Sequence, residues 1–491
     1  MSFEFFIDGV PMQAEDGQTV IQAARANGIE IPHFCWHPEL SVPGNCRICM
    51  VEIEQEKGDP WFDIACNMPV TAGMNVMLNS ELSKKLRKQT MQFITLNHPV
   101  DCGICNKSGE CTLQDYHYEY NGEKSLSSDP KTHATKFYPL SDRIMLDNER
   151  CIMCTLCVRF THEISKSHAL AAVNRGDHAL IRPAEDADFN NDVYSDNVID
   201  LCPVGALLSR ELLDHARVWY LKSTPSVCPG CERGCSINIW HRKHEWKLNA
   251  LDPHLNTRID RVTPLENPDV NGLWVCNKAR DLAHFFERPR AEQAMHAGAA
   301  VDLSVATATA AHLLADAKAP VALVSSFGSN EELAAFHAAF HAAFGDRLKG
   351  FVKVDHQPLP GERLEDALLI KPDKNPNRQA ALALYPVLPA DASAALAGAD
   401  VLLVWGEGFD GAHVPVGVKV IRLDSYVHEA NARADVFLPI SIQTERSGHY
   451  TNFEGTVTPF EACFPVKPSI AHAEALFAAL VSTAQIVAVH T

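Results

Sequence analysis

Sixteen cysteines run through this 491-residue chain, and fifteen of them lie between residues 35 and 276. Many fall at short, fixed spacings. In a chain without secretory features that pattern points to metal or redox chemistry rather than disulfides. The first set is Cys35, Cys46, Cys49 and Cys66, spaced C-x10-C-x2-C-x16-C. A plant-type 2Fe–2S ferredoxin orders its ligands C-x4-C-x2-C followed by a distant fourth Cys. The first loop is longer here, but the order is the same. Gly44 suits a backbone that passes close to a cluster. A tetrahedral zinc would also accept four thiolates and is the competing use of this set.

The second set is incomplete in sulfur. "NHPVDCGICNKSGEC" holds Cys102, Cys105 and Cys111, so a four-ligand site needs one further group. Two histidines stand near, His98 before the triplet and His117 after it. Pro99 keeps the chain after His98 extended towards Cys102. The third set opens with Cys151, Cys154 and Cys157. Bacterial ferredoxins add x3-C-P to such a run, and that fourth Cys serves the other cluster of a pair. Here its place is taken by Thr161, and a Cys-Pro pair, Cys202-Pro203, arrives later. The triplet that would precede Cys202 reads Asp192, Ser195 and Val198. One of two ancestral clusters is therefore missing, and Cys151, Cys154, Cys157 and Cys202 make one complete 4Fe–4S set. The fourth set is Cys228, Cys231, Cys235 and Cys276, spaced C-x2-C-x3-C-x40-C. It suits a 4Fe–4S cluster on a loop closed by a distant Cys, with zinc again the alternative. Cys463 is left over as a packed or idle thiol.

The elements that must position these groups change along the chain. Residues 1–78 read as hairpin, short helix, Cys loop and strand, the layout of a β-grasp ferredoxin. "FEFFIDGVPMQA" supplies the hairpin with Asp8-Gly9 at its turn, and Gly28 ends the helix. Residues 79–97 read as a helix with an apolar face of Leu82, Leu86, Met91, Ile94 and Leu96. With the incomplete Cys set that follows, they make up a region over 79–138. Residues 139–217 carry the ferredoxin-like 4Fe–4S set and 218–280 the last quartet. From about residue 295 Ala-rich helices alternate with apolar strands such as Val321–Val324 and Val401–Trp405, which means an α/β layer structure over 281–491. "FGSNEE" after a strand is only a weak phosphate-loop lookalike.

The balance of 43 basic against 61 acidic residues gives a net charge of −18. That argues against a nucleic-acid surface, which needs a basic face. No apolar run approaches the ~20 residues needed to cross a bilayer. The first residues lack the look of a signal or transit peptide, so a cytoplasmic chain without direct membrane insertion is expected.

Four Cys/His constellations in this order make the chain resemble the large iron–sulfur subunit of respiratory complex I, the 75 kDa subunit family of NADH–quinone oxidoreductases. The resemblance runs motif by motif over residues 1–280. It continues more weakly into "ADVFLPISIQTERSGHYTNFEGTVTPFEACF", similar to a signature of the family's molybdopterin-oxidoreductase-like region. It implies a multidomain α+β and α/β protein: β-grasp 2Fe–2S ferredoxin, His/Cys 4Fe–4S domain, bacterial-ferredoxin-like 4Fe–4S domain, a further 4Fe–4S domain of the molybdopterin-enzyme type, and a truncated molybdopterin-oxidoreductase-like α/β domain. The family motif H-x3-C-x2-C-x5-C is matched by His98, Cys102, Cys105 and Cys111, so the resemblance selects His98. The fourth quartet resembles the extra cluster of some bacterial members, and "CNKAR" departs from the C-x-K-G-R of molybdopterin enzymes by Ala279.

The resemblance further implies one 2Fe–2S and three 4Fe–4S clusters, and one-electron relay from a flavin subunit that oxidises NADH towards quinone. The expected order is first set, His-containing set, third set, with the fourth off the line and a ferredoxin-like subunit receiving the electron. Partners would be the peripheral-arm subunits of complex I, which would hold the chain at the cell membrane. No substrate site and no molybdopterin are expected, since no candidate metal ligand lies between residues 277 and 462. The alternatives are the diaphorase arm of an NAD-linked hydrogenase and a formate dehydrogenase.

Overall fold

The computed structural model describes residues 1–54, 59–185, 188–243 and 257–490, with side chains as far as residue 482. The chain divides into two compact units, Met1–Tyr220 and Leu221–Thr491.

In the first unit Ser2–Ile7 and Val10–Glu15 form a hairpin. Its turn residues Asp8 and Gly9 both sit at positive φ, 47° and 79°, the backbone a tight hairpin turn requires. Ser2–Ile7 also pairs in parallel with Asn75–Met77, and the sheet continues through Met50–Glu54 to Trp61–Ile64. The helix Val20–Ala26 buries Val20, Ile21, Ala23 and Ala24 in one core with Phe5, Ile7, Val51, Ile53 and Val76. Its start is held by Gln22, whose Oε1 accepts from the Thr19 N–H at 2.9 Å. This is the β-grasp layout expected from the sequence.

The next helix, Glu81–Thr95, forms as expected but buries a different face. Ser83, Arg87, Thr90 and Met91 are its buried residues, while Leu82, Leu86 and Ile94 are half-buried and Leu96 is exposed. The reason is hydrogen bonding. Ser83 Oγ accepts from the Glu52 N–H at 2.9 Å and donates to the Met77 carbonyl at 2.6 Å. A polar side chain with both roles filled packs on the sheet without a desolvation penalty. Arg87 stands with its guanidinium over the Tyr120 ring, 5.5 Å from the centroid. Further along, Ile144–Leu146 joins Tyr138–Pro139 and Leu207–Ser209 in a small sheet, and Leu170–Val173 pairs with Leu180–Pro183. Two short helices, Leu156–Glu163 and Asn197–Leu201, carry the ends of the third cysteine set.

The second unit begins with a three-stranded antiparallel sheet, Leu221–Val227, Ser236–Arg242 and Ile259–Pro264. A seven-stranded sheet follows. Its five parallel strands lie in the order Lys349–Val352, Pro320–Val324, Val401–Trp405, Lys419–Asp424, Val436–Pro439, and a small hairpin over 295–300 adds an antiparallel edge. The first and second strands in sequence are exchanged in space, the doubly wound arrangement of an open α/β sheet. Every residue of Pro320–Val324 and Val401–Trp405 is buried, as expected of strands covered on both faces. Alternate residues face different cores. Ala322, Val324, Leu403 and Trp405 join one with helices Leu303–Ala315, Asn330–Phe344 and Ala473–His490, and Val321, Leu323, Leu402 and Val404 join the other. "FGSNEE" resolves into helix capping: Ser329 N–H donates to Glu332 Oε2 at 2.8 Å, and Glu332 N–H to Ser329 Oγ at 3.1 Å. Among the described residues, no helix is long and apolar enough to cross a membrane.

Phe477 is fully buried, 5.1 Å from the Phe336 ring and 4.9 Å from the Trp405 ring. Phe477→Ala is expected to destabilise the second unit by about 3–5 kcal/mol, read as a lower denaturation midpoint while the cluster spectra of the folded chain are kept.

Candidate iron–sulfur sites

The first set gathers around the loop that enters Met50–Glu54. Cys35, Cys49 and Cys66 are buried and Cys46 is half-buried. The sulfurs form two close pairs, Cys35 with Cys46 and Cys49 with Cys66, each joined by a thiol hydrogen bond. Cys35 is held down at about 6, chiefly because the Cys46 thiol donates to it, with backbone N–H groups of Cys46 and Asn45 helping. Cys46 and Cys49 are pushed up, first by keeping the shared proton and then by burial. Two pairs fit a 2Fe–2S cluster, in which each iron takes two protein ligands. A Cβ at Gly44, where φ is +63°, would stand 2.9 Å from Ile64 Cδ1, so this loop admits no side chain there.

In the second set Cys105 and Cys111 are buried and Cys102 is half-buried. Burial raises Cys105, and raises Cys111 to about 11 against the N–H groups of Gln114 and Leu113, which donate to its sulfur. Cys105 and Cys102 also act electrostatically on Cys111 and raise it further. His98 Nδ1 is buried with no hydrogen-bond partner, and burial lowers the ring to about 4. It is therefore neutral, the form of imidazole that binds a metal. The charged groups acting on it include Asp101, beside Cys102, and Arg150, beside Cys151. His117 differs: its Nδ1 lies 3.2 Å from Asn121 Nδ2 within the turn His117–Asn121. An orphaned, buried and neutral ring nitrogen at His98 is compatible with the missing ligand.

The third set converges most plainly. Cys151, Cys154, Cys157 and Cys202 line one enclosed pocket whose other walls include Leu146, Ile152, Leu156, Ile181, Val204 and Leu207. Met153 and Thr155, between the cysteines, sit at φ 51° and 61°. Left-handed residues in such a loop turn successive N–H groups inward, making a nest for anionic sulfur. Burial raises Cys151 to about 12 and drives Cys154 and Cys157 higher. Thr161, at the place of the expected fourth Cys, is fully buried with its Oγ1 donating to the Val158 carbonyl at 2.8 Å. Where a second triplet would sit, Asp192 Oδ2 accepts from Ser165 and Ser167, both at 2.7 Å. Hydrogen-bonded polar side chains occupy these positions.

The fourth set lies at the turn between Leu221–Val227 and Ser236–Arg242, with Cys276 opening the short helix Asn277–Arg280. Cys228, Cys231, Cys235 and Cys276 act on one another electrostatically, and burial is the largest cause raising Cys228, Cys235 and Cys276. The Gly230 N–H donates to Cys228 Sγ at 3.4 Å. Cys463 stands apart, its backbone N–H donating to the Thr444 carbonyl, and burial raises it to about 12.

Sequence reasoning missed the contacts that tie the sites together. Arg150 Nη2 meets Asp101 Oδ2 at 2.7 Å, and Lys136 Nζ meets Asp101, Asp147 and Glu149 at 3.0 to 3.2 Å. These join the start of the second set to the start of the third. A Cβ at Gly205, three residues after Cys202, would lie 2.3 Å from Cys105 Sγ. Arg159 bonds the carbonyls of Cys35 and Cys154, so the first and third sets are direct neighbours although the second lies between them in sequence. A cleft also opens at the carboxyl ends of the parallel strands, lined in part by Arg288, Phe327, Asp355, Glu407, Tyr426 and Arg446. Arg288 pairs with Glu407 at 3.0 Å, and Arg446 with Glu332 at 3.0 Å. Phe327 lies in "FGSNEE" and Arg446 in the stretch similar to the molybdopterin-oxidoreductase-like signature, but sequence reasoning did not assign either to a cleft.

Three cysteine quartets and one triplet, most of their sulfurs buried on ferredoxin-type loops, mark an iron–sulfur protein. Family models agree region by region. Residues 1–81 match a 2Fe-2S iron-sulfur cluster binding domain, 87–125 the NADH-ubiquinone oxidoreductase-G iron-sulfur binding region, 141–208 the ferredoxin-like domain of NADH-quinone oxidoreductase subunit 3, and 221–287 the molybdopterin oxidoreductase Fe4S4 domain. The NADH-ubiquinone oxidoreductase 75 kDa subunit of Reclinomonas americana is 39% identical over 287 residues, which are 58% of this chain and 39% of that protein. The mitochondrial NADH dehydrogenase [ubiquinone] iron-sulfur protein 1 of Solanum tuberosum is 36% identical over 60% of this chain and 38% of its own length. The corresponding NADH-quinone oxidoreductase subunit of Rickettsia typhi is 36% identical over 56% and 38%. Over its iron–sulfur region the chain is similar to these members of the 75 kDa subunit family of NADH–quinone oxidoreductases, and it spans about two fifths of their length. A crystal structure of an NAD+-reducing NiFe-hydrogenase in the H2-reduced state is 28% identical, with a TM-score of 0.36, over 44% of this chain and 94% of that one.

Two substitutions test the geometry of the second set. His98→Ala is expected to remove one 4Fe–4S equivalent of iron and sulfide, and His117→Ala to leave iron content unchanged. Gly205→Ala, although close to Cys202, is expected to perturb the EPR signal of the His98 set more than that of the third set.

Proposed function

We propose that the chain is the electron-carrying iron–sulfur subunit of an NADH:quinone oxidoreductase, working at the cytoplasmic face of a membrane to which partner subunits hold it. The ligands are Cys35, Cys46, Cys49 and Cys66 for a 2Fe–2S cluster, and three sets for 4Fe–4S clusters: His98 with Cys102, Cys105 and Cys111; Cys151, Cys154, Cys157 and Cys202; Cys228, Cys231, Cys235 and Cys276. When bound, such clusters accept and release one electron at a time. The residues around them do three things. Aliphatic walls such as Leu146, Ile181 and Val204 keep water from the third set. Backbone N–H groups of Asn45, Gln114 and Gly230 donate to cysteine sulfur and stabilise its anionic form. Basic residues next to the sets, Arg150 and Arg159, balance that negative charge. Solvent exclusion, hydrogen bonds to sulfur and nearby charge are the levers by which a protein sets a cluster's potential.

The observation that carries this reading is the similarity of the iron–sulfur region to that family, joined to four largely buried candidate ligand sets in the family's order. On this reading a flavin subunit that oxidises NADH gives the electron and a ferredoxin-like subunit takes it on. Residues 281–491 bind no molybdopterin and serve as scaffold, which agrees with the lack of a Cys between residues 277 and 462. Anaerobic purification from the native membrane is expected to bring down a flavin-containing NADH-oxidising subunit with the chain, with one 2Fe–2S and three 4Fe–4S signals by EPR and no molybdenum by metal analysis. Co-purification with hydrogenase subunits instead, or stoichiometric molybdenum, would overturn it.

A further inference from the structure

We propose that Arg159 is a positioning residue shared by two sites: it ties the loop carrying Cys35 to the loop carrying Cys154, and its single positive charge holds up the reduction potentials of both clusters. This rests on the iron–sulfur reading of the first and third sets given above.

Arg159 lies on the helix Leu156–Glu163, two residues beyond Cys157. Its side chain reaches across to the β-grasp region. Nη2 donates to the Cys35 carbonyl at 2.5 Å and to the Cys154 carbonyl at 3.3 Å. Nη1 donates to the Ser41 carbonyl, and Nε to Thr155 Oγ1 at 3.4 Å. One guanidinium thus bonds the backbone of a ligand from each set. A planar fork with five N–H donors can do this, and an ammonium cannot match the directions.

The tie is reinforced on both sides. Glu163, one turn further along the same helix, accepts from Ser41 N–H at 2.7 Å and from Ser41 Oγ at 2.5 Å. Asn45, beside Cys46, donates through Nδ2 to the Met153 carbonyl at 3.1 Å, and Met153 is beside Cys154. The bonds join points more than a hundred residues apart in sequence, so local structure does not explain them. Each falls within a few residues of a cluster ligand.

The charge also faces both sets. Burial lowers the pKa of Arg159, while Cys154, Cys35, Glu163 and Cys157 act against that lowering. Adding one electron to a cluster adds one negative charge. A cation held nearby in a partly buried place stabilises the reduced form over the oxidised one and raises the potential. Because the same charge serves both clusters, its removal should move both potentials downwards together. The difference between them, which drives exchange between the two sites, should change far less.

The test uses the full chain, purified anaerobically with its clusters, as wild type, Arg159→Gln and Arg159→Lys. Redox titration followed by EPR reads the two potentials, the magnetic interaction between the two reduced clusters reads their separation, and iron and sulfide assays check loading. Arg159→Gln is expected to lower both potentials in parallel and to weaken the interaction. Arg159→Lys, which keeps the charge but not the fork, is expected to keep both potentials near wild type while the interaction weakens. If Arg159→Gln loads fully and moves neither potential, or only one, the proposal is overturned. If Arg159→Gln fails to load, Arg159→Lys decides: an unchanged interaction overturns the tie, and a weakened one supports it. Wild-type chain lacking the 2Fe–2S or the third-set signal would deny the iron–sulfur reading itself, an outcome distinct from any variant result.

Discussion

Crowded, buried sulfur is the constraint around which the first 280 residues are built. Burial raises most of the cysteines in the four sets, and within the third and fourth sets each sulfur raises its neighbours further. Four thiols in an apolar pocket cannot ionise together unless positive charge enters with them. Metal ligation, however, needs the thiolate. Iron at the centre of each set would reverse the penalty, which would link cluster binding to folding of the loops. The left-handed backbone at Met153 and Thr155 belongs to the same balance. It is unfavourable for residues with side chains, and it directs N–H groups to sulfur.

Holding several such sites in register is a separate problem, and polar ties contribute to it. Asp101, Arg150, Lys136 and Asp147 lock the second set to the third, with Asp147 fully buried. Arg159, Glu163 and Asn45 lock the first set to the third. Directional contacts of this kind fix distance, which matters to electron exchange more than stability does. The second unit is built differently. Its doubly wound sheet is held by two ordinary hydrophobic cores, and its largest aromatic cluster, Phe336, Phe340, Trp405 and Phe477, contains no candidate ligand.

The iron–sulfur class was legible in the sequence because spacing encodes it: C-x2-C-x2-C with a distant Cys-Pro leaves few readings, and counting cysteines exposed the gap for which His98 is proposed. The β-grasp hairpin was legible through Asp8-Gly9, and the buried parallel strands through their apolar runs. The buried face of Glu81–Thr95 was not legible, because Ser83 and Arg87 are buried by partners on other elements that no helical period reveals. The ties were hidden for the same reason. Nothing about Arg159 in "CVRF" marks it as a residue that reaches a carbonyl 124 positions away. Gly205 looks like a turn glycine, and only its approach to Cys105 shows why a side chain does not fit.

The central claim is that four iron clusters sit in these four ligand sets. Anomalous X-ray scattering at the iron and zinc edges, from crystals grown without oxygen, tests it directly. Strong iron peaks are expected at all four sets, the second within bonding distance of a His98 ring nitrogen, with no zinc signal. A zinc peak at any quartet, or an iron peak at the second set that His98 does not touch, would contradict it.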